Sequence, residues 1–527
     1  MSQYHWEKIK PSMTKSYTDR PQLFGHPKGL FYLFFAEMWE RFSFYGMRAL
    51  LVLYMTKQLM YSDEMSFGIF AAYMSLVYFT PLIGGLIADR YLGYRKSIVL
   101  GGILMALGHF FLAIEHPIFF YGSLALLIVG NGFFKPNIST FVGTLYDEDD
   151  KRRDAGFTIF YMGINIGGFL APLACAWIAE LYGWHFGFTL AGIGMLAGLF
   201  TFTHGLKTDT FGEEGLPPKN AELALKFAGI SREKIIYLAS FASIPLFALV
   251  IKHNEIEHYI VWVATFFIVG ALIYIYRSVS GKAKTQLLVT AYFTILMSLF
   301  WAIFEQAGSS LTLFADRNVA LVGMNAAQTN SINSFFIIGL AIPFSWLWTK
   351  LSDVKMNPNS AIKAGMGLVL LGVGFLVFAF GGHHTDELAK TPMFYLILGY
   401  FILTVGELLI SPIGLSKMTE LSPPKYLAFI MGVFFSSSFY GHFFAGKIAQ
   451  LTAVKGDANY FSQGYFGDLT HLISGLDPTT TYEKGDAFQQ LYSYASVYAG
   501  FGVITLTIGV VAILLSPIIK KWMAGVH

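Results

Sequence analysis

A chain of 527 residues that is 55% hydrophobic and only 13% charged carries too little charge for a soluble protein of its length. Its net charge of +3 says little about partners, and its single cysteine, Cys175, excludes a disulfide framework and a thiolate metal site. A mean hydropathy of +0.54 points to a polytopic membrane protein, and 17% aromatic residues are more than lipid-facing belts use, so some are expected to line a cavity.

The stretch Met1 to Lys28 is polar and has no signal-peptide apolar region, so the first membrane helix is expected to act as its own insertion signal. Apolar runs predict six spans, over 29–58, 67–89, 97–114, 118–143, 155–180 and 184–206. A polar stretch, 207–232, interrupts the pattern, and two more runs follow at 235–251 and 259–276. Six further spans are predicted over 286–314, 331–349, 361–380, 392–416, 426–450 and 491–519. The expected fold is an all-α membrane protein of two six-helix bundles plus two extra transmembrane helices, 14 spans in all. Its expected parts are a cytoplasmic N-terminal tail (1–28), a first bundle (29–206), a linker with a two-helix transmembrane hairpin (207–285), a second bundle (286–519) and a cytoplasmic C-terminal tail (520–527).

Loop charges support this layout. With both termini cytoplasmic, 26 Lys and Arg fall on the cytoplasmic side and 6 on the other, as the positive-inside rule requires. Two six-helix halves suggest a substrate site near the midplane between them. The extra pair carries internal charges only at its turn, Lys252 to His258, and reads as a peripheral hairpin. The outward loop at about 451–490 is given no chemistry.

The first span carries Glu37, Glu40, Arg41 and Arg48 inside an apolar run. At 100° per residue these four and Phe44 share one narrow sector. Each charge costs about 2.5–3.5 kcal/mol to insert, so the face must meet partners and water rather than lipid. A Glu37–Arg41 ion pair at i,i+4 is the simpler reading, but it leaves Glu40 and Arg48 unexplained.

The 2–3 loop reads Gly84-Gly85-Leu86-Ile87-Ala88-Asp89-Arg90-Tyr91-Leu92-Gly93-Tyr94-Arg95-Lys96, an order that resembles the cytoplasmic loop motif of the major facilitator superfamily. Gly85 is expected to allow close helix approach there, and Asp89 to cap and pair across the inner face. Span 4 ends in Gly130-Asn131-Gly132-Phe133-Phe134-Lys135-Pro136-Asn137. Pro136 removes a helical hydrogen bond, so Lys135 is expected at a helix break facing a cavity, the alternative being a lysine that snorkels to the inner interface. In span 5, Gly163 and Gly167 make a close-packing pair, and Asn165 could bond across helices or to a ligand. Span 7 holds Trp301 and Glu305 one turn apart, span 8 holds Asn333, and span 10 holds Glu407 beside a Pro412–Gly414 hinge. Bases from the first half and the acids Glu305 and Glu407 from the second would polarise a cavity in a way that suits a zwitterion. His109 and His442 are expected to be helix–helix hydrogen-bonding residues.

Glu37-x-x-Glu40-Arg41-Phe42, Gly130-Asn131-Gly132-Phe133-Phe134-Lys135-Pro136-Asn137 and Phe160-Tyr161-x-x-Ile164-Asn165-x-Gly167 resemble the signatures of the proton-dependent oligopeptide transporters of the major facilitator superfamily. The resemblance runs over nearly the whole chain, and the extra hairpin resembles the bacterial members. It implies a multi-pass inner-membrane protein that imports di- and tripeptides with protons. The proton would be the coupling ion with no other cofactor, there would be no nucleic-acid partner, and a monomer would suffice. The resemblance assigns Arg48 and Lys135 to the peptide carboxylate, and Glu407, Asn165 and Asn333 to its amino group. Tyr45, Tyr78, Trp301 and Phe434 are expected at the pocket, and Glu37, Glu40, Arg41, Lys135 and Glu305 in proton coupling, Glu305 as the outer-gate partner of Arg48.

Two departures bear on substrate preference. Phe44 stands where the family usually has a first tyrosine, and Phe434 where many members have Trp. The animal members rely on a histidine in span 2, but none lies between Phe67 and Asp89, so carboxylates are expected to carry the proton here. No His-Glu-x-x-His or Gly-x-Ser-x-Gly occurs, which argues against an intramembrane protease and for a protein that is not an enzyme. The alternative on the same fold is a transporter of nitrate, another small anion or drug-like substrates.

Overall fold

The computed structural model describes residues 21–147, 149–453, 464–477, 487–523 and 525. It is almost entirely helical. The first group comprises α1 (Lys28–Lys57), α2 (Asp63–Ile87), α3 (Gly93–Leu112), α4 (Pro117–Gly143), α5 (Arg153–Tyr182) and α6 (Trp184–Lys207). A pair follows, α7 (Arg232–Lys252) and α8 (Glu257–Ser278). The second group is α9 (Lys282–Phe304), α10 (Ser310–Asn318), α11 (Ser331–Asp353), α12 (Ser360–Phe380), α13 (Met393–Leu421), α14 (Leu427–Thr452), α15 (Gly464–Ser474) and α16 (Ala487–Trp522). Strand structure among the described residues is limited to three two-residue pairings, such as Gln22–Leu23 with His26–Pro27. By length and composition, 11 helical stretches of the described residues are long and apolar enough to cross a membrane. One of them, Asp63–Leu112, holds both α2 and α3. The helix with the charged face, α1, is not among the 11.

Small residues set the helix contacts. A Cβ at Gly167 would lie 2.3 Å from the Met38 carbonyl, and one at Gly163 would lie 3.1 Å from that of Phe34, so α5 packs backbone to backbone on α1. At the α2–α4 crossing the close glycine is Gly84, not the expected Gly85. A Cβ at Gly84 would meet the Gly132 carbonyl at 2.0 Å, whereas one at Gly85 has 3.6 Å to Pro136. Gly84→Ala is therefore expected to lower the melting temperature in detergent, since forcing a methyl into a packed contact costs about 1–3 kcal/mol. An unchanged melting temperature would contradict this account of the crossing.

Three predicted elements differ from those observed. The 2–3 loop is not a free turn, because a π-helical turn over Ala88–Leu92 carries α2 into α3. Asp89 is exposed there, and no side chain caps α3. The expected break at Lys135 is absent, and α4 runs through Pro136 to Gly143. Around it, Asn131 Nδ2 donates to the Val77 carbonyl at 2.9 Å and Asn137 Nδ2 to that of Phe133 at 2.7 Å. The predicted span 286–314 instead breaks in two. Ser309 has φ −126° and ψ −97°, which no helix tolerates. The polar groups freed there find local partners: Gln306 Nε2 donates to the carbonyls of Ala302 (3.1 Å) and Ala445 (2.9 Å), and Ser310 Oγ donates to Gln306 Oε1 (2.7 Å). Within the loop at 451–490, where no element was expected, α15 forms; residues 454–463 and 478–486 of that loop lie outside the described residues, as does the side chain of Pro412.

The hairpin lies against both groups. Glu233 of α7 accepts from Lys96 of the first group at 2.5 Å, while Thr265 and Ser278 of α8 bond Tyr440 and Tyr426 of the second at 2.8 and 3.0 Å. The Lys96 ammonium holds the Glu233 carboxyl below its usual range. At the Lys57 end the two groups are locked together. Arg317 donates to both oxygens of Asp63 (2.5 and 2.8 Å), Lys57 pairs with Asp316 (2.6 Å), and Asn325 donates to Glu180 (2.7 Å). There a Cβ on Gly446 of α14 would lie 2.1 Å from that of Ala71 on α2.

Candidate functional site

The charged face of α1 turns into the protein. Glu37 and Glu40 are fully buried, Arg41 is 4% exposed, and Arg48 is half-buried. Arg41 grips Glu40 through two hydrogen bonds, Nε to Oε2 at 2.5 Å and Nη2 to Oε1 at 2.6 Å. Its guanidinium carbon also lies 4.9 Å from the Phe44 ring centroid, so Phe44 serves as a cation–π face. Glu37 Oε1 accepts from Lys135 Nζ of α4 and lies 3.4 Å from Arg41 Nε, while its Oε2 is buried without a hydrogen-bond partner. Two acids and two bases thus form one chain, Lys135–Glu37–Arg41–Glu40. Such burial is costly unless each charge is paired. The Glu37–Arg41 pair considered from the sequence exists, and it is one link of this longer chain.

Arg48 belongs to a second network that crosses between the groups. Its Nη2 donates to Glu305 Oε2 at the break after α9. Gly308 of the same break makes room for it, because a Cβ there would lie 2.8 Å from Arg48 Nε and Nη2. Tyr45 lies under Arg48, ring centroid to guanidinium carbon 6.0 Å. The same Glu305 Oε2 lies 3.5 Å from Nε2 of His442 of α14, whose ring is stacked on Tyr78 of α2 with centroids 4.5 Å apart. Neither histidine makes the interhelical hydrogen bond expected of it. His442 Nδ1 bonds the carbonyl of Ser438 on its own helix at 2.7 Å, and both ring nitrogens of His109 are buried without a partner.

Glu407 of α13 sits in a third arrangement. Asn333 of α11 donates to Glu407 Oε2 at 2.9 Å and to Thr404 Oγ1 at 3.1 Å, and among the described residues no cation lies within ion-pair distance of Glu407. Asn165 Nδ2 donates to the Tyr161 carbonyl of its own helix at 3.1 Å, and among the described residues no hydrogen bond links it to another helix. Trp301 packs on α14, where a Cβ at Gly441 would meet its own Cβ at 2.5 Å. Phe434 is 7% exposed and packs in the apolar core, while its neighbour Phe435 is exposed.

The expected site residues divide by burial. Glu37, Glu40, Arg41 and Glu305 are buried, whereas Tyr45, Arg48, Tyr78, Lys135, Asn165, Trp301, Asn333 and Glu407 are half-buried. The first set can hold charge or a proton away from water, and the second can meet a ligand. Sequence reasoning missed the placement of His442 beside Glu305 and the anchoring of Asn333, the partner of Glu407, by Thr404. A histidine in a spanning segment was the available signal for the first; nothing in the local pattern marked the second.

Apolar helices with paired intramembrane acids and bases, in two groups joined at one end, define a multi-pass membrane transporter of the major facilitator fold. The chain belongs to the POT family, whose model matches residues 95–463. It is 34% identical over 524 residues to the uncharacterized transporter YclF of Bacillus subtilis (strain 168), covering 95% of this chain and 96% of that one. It is 36% identical over 453 residues to the peptide transporter YePEPT of Yersinia enterocolitica, covering 81% and 88%. A crystal structure of a peptide transporter POT in complex with sulfate is similar, with TM-score 0.78 and 30% identity, covering 96% of this chain and 98% of that one. As a transporter of this family, the protein is not an enzyme.

Proposed function

We propose that this protein is a proton-coupled symporter that imports di- and tripeptides by alternating access. The observation that carries the reading is Glu407, a carboxylate held by Asn333 and without a cation partner among the described residues, in the half opposite Arg48 and Lys135. A free peptide brings an ammonium for Glu407 and a carboxylate for Arg48 and Lys135, so each end meets the opposite charge. Its backbone then lies among Tyr45, Tyr78, Trp301, Asn165 and Asn333, all half-buried. The name of the Yersinia relative, a peptide transporter, supports the same substrate class. Glu305 and Glu407 together disfavour the alternative of nitrate or another small anion, which two acids would repel. No specific observation favours a drug-like substrate.

The proton is the coupling ion, with no other cofactor. Both cation sites that would take the peptide carboxylate are already bonded to acids, Arg48 to Glu305 and Lys135 to Glu37. Protonating either acid releases its base, and that difference in interaction is what a ligand-driven switch requires. Glu40 and Arg41 set how readily Glu37 lets go, through the chain they share. The Lys57 end, locked by Asp63–Arg317 and Lys57–Asp316, is the outer side on this reading. Both termini are then cytoplasmic in the inner membrane, and one chain contains the whole site.

Glu407→Ala is expected to weaken competition by a free dipeptide strongly. A dipeptide with a blocked amino terminus should be indifferent to the substitution. Equal loss for both peptides would show that the amino group does not lie at Glu407.

A further inference from the structure

Beside Glu305, a histidine of α14 is buried where the two groups meet. His442 is 2% exposed. Its Nδ1 lies 2.7 Å from the Ser438 carbonyl, which can only accept, so Nδ1 carries a hydrogen. The neutral ring therefore turns the lone pair of Nε2 towards Glu305, 3.5 Å from Oε2. That nitrogen is buried and has no hydrogen-bond partner. The ring cannot easily turn away, because it is stacked on Tyr78 with the planes 19° apart. A lone pair facing an ionised carboxylate is repulsive, and one proton between the two relieves it.

We propose that His442 and Glu305 hold one coupling proton jointly, so that His442 is a proton-carrying residue of the transport cycle. The inference rests on the reading of Glu305 as proton-linked. The proton has two positions. On Nε2 it leaves Glu305 ionised and Arg48 bound. On Oε2 it makes Glu305 neutral, with its O–H donating to Nε2, and Arg48 is free to meet the peptide carboxylate. The transfer breaks one N–H bond and forms one O–H bond, and the pair keeps its total charge. A small approach of the ring, of the size that separates 3.5 Å from a hydrogen bond, completes it.

The groups that bear on the ring come from several elements. Tyr78 of α2 stacks on it, Glu305 follows α9, Arg48 of α1 pairs with the same Glu305 Oε2 that faces Nε2, and Glu407 of α13, bonded by Asn333 of α11, is near enough for its charge to bear on Glu305. Tyr292 of α9 lies 13 residues before Glu305, more than three turns away. From α16, Tyr494 and Tyr498 turn to Arg317 and Ser310. The contact with α8 is made by Val261 with Phe439 and Phe443 and by Thr265 with Tyr440. Arg48 is thus the cation that competes with the proton for Glu305.

Dipeptide counterflow by the full chain in proteoliposomes, at limiting peptide and normalised to each variant's own maximum, tests this over about pH 5 to 8. The wild type is expected to change about tenfold across the window, and His442→Phe, which keeps a ring on Tyr78, less than about twofold. His442→Gln repeats the measurement should the phenylalanine fail to fold. The double variant with Glu305→Gln should be no flatter than either single, because two residues that hold one proton are not additive. A His442→Phe profile superimposable on the wild type, beside a flattened Glu305→Gln profile, would overturn the shared site and leave Glu305 as the proton carrier. A Glu305→Gln profile superimposable on the wild type would overturn the reading of Glu305 as well. Additive flattening would mean two independent sites, which also contradicts the proposal.

Discussion

Arg48→Ala is expected to reduce dipeptide uptake in proteoliposomes by about a hundredfold or more. The substitution removes the base from a buried pair and leaves Glu305 ionised beside His442 alone. Breaking such a pair costs about 3–5 kcal/mol, and every 1.4 kcal/mol is a factor of ten. The loss should appear in counterflow as well as in accumulation, because Arg48 serves both the gate and the peptide carboxylate. Arg48→Lys should restore little, since the guanidinium lies over Tyr45 and is shaped around Gly308 in a way an ammonium cannot reproduce. Uptake by Arg48→Ala within about threefold of wild type would mean that the pair is worth less than 1 kcal/mol, far below the buried-pair value.

Glu40→Gln is expected to separate the two activities that Arg48→Ala destroys together. Glutamine keeps the shape of the side chain but cannot hold the charge of Arg41, which now has Glu40 at 2.5 Å and Glu37 at 3.4 Å. Arg41 should move onto Glu37 and displace Lys135, the arrangement otherwise reached by protonation. Such a protein should lose accumulation driven by a pH gradient yet keep counterflow, which needs no net proton movement. Glu37→Gln should behave alike, since it frees Lys135 directly. Lys135→Ala is the control: it should weaken counterflow at limiting peptide by weakening binding. Normal accumulation by Glu40→Gln would remove Glu40 from the coupling scheme. Loss of both activities would make the Arg41–Glu40 pair structural.

Much of this was legible because charges in a membrane helix are expensive. Glu37, Glu40, Arg41 and Arg48 announced a polar face on α1, and the loop bias of Lys and Arg ordered the helices around it. The motif around Lys135 marked α4 in the same way. What stayed hidden depends on distance in space. Lys135 finds its acid on α1, within its own half, rather than in the second half where Glu305 and Glu407 lie. The polarisation read from the sequence left out that the bases are already bonded to acids, Arg48 to Glu305 and Lys135 to Glu37. The break at Glu305 was read as continuous helix because the run Glu305 to Ser310 reads as a polar patch within one span; in the structure Gln306 bonds Ala445 on α14 where the chain bends. Gly84 and Gly85 are equivalent as sequence, and the pitch of α2 alone decides which one meets Gly132. Phe434, expected at the pocket, is buried among core residues, a placement that depends on the rotation of α14.

The central claim is that a proton and a zwitterionic peptide cross together, and accumulation in proteoliposomes tests it most directly. With pH equal on both sides and a potassium gradient set by valinomycin, inside negative, a labelled neutral dipeptide should accumulate, because one net positive charge enters per cycle. A potential of about 100 mV supplies roughly 2.3 kcal/mol per charge, enough for about 50-fold accumulation. Dipeptide that equilibrates across the membrane but ignores the imposed potential would contradict proton-coupled symport.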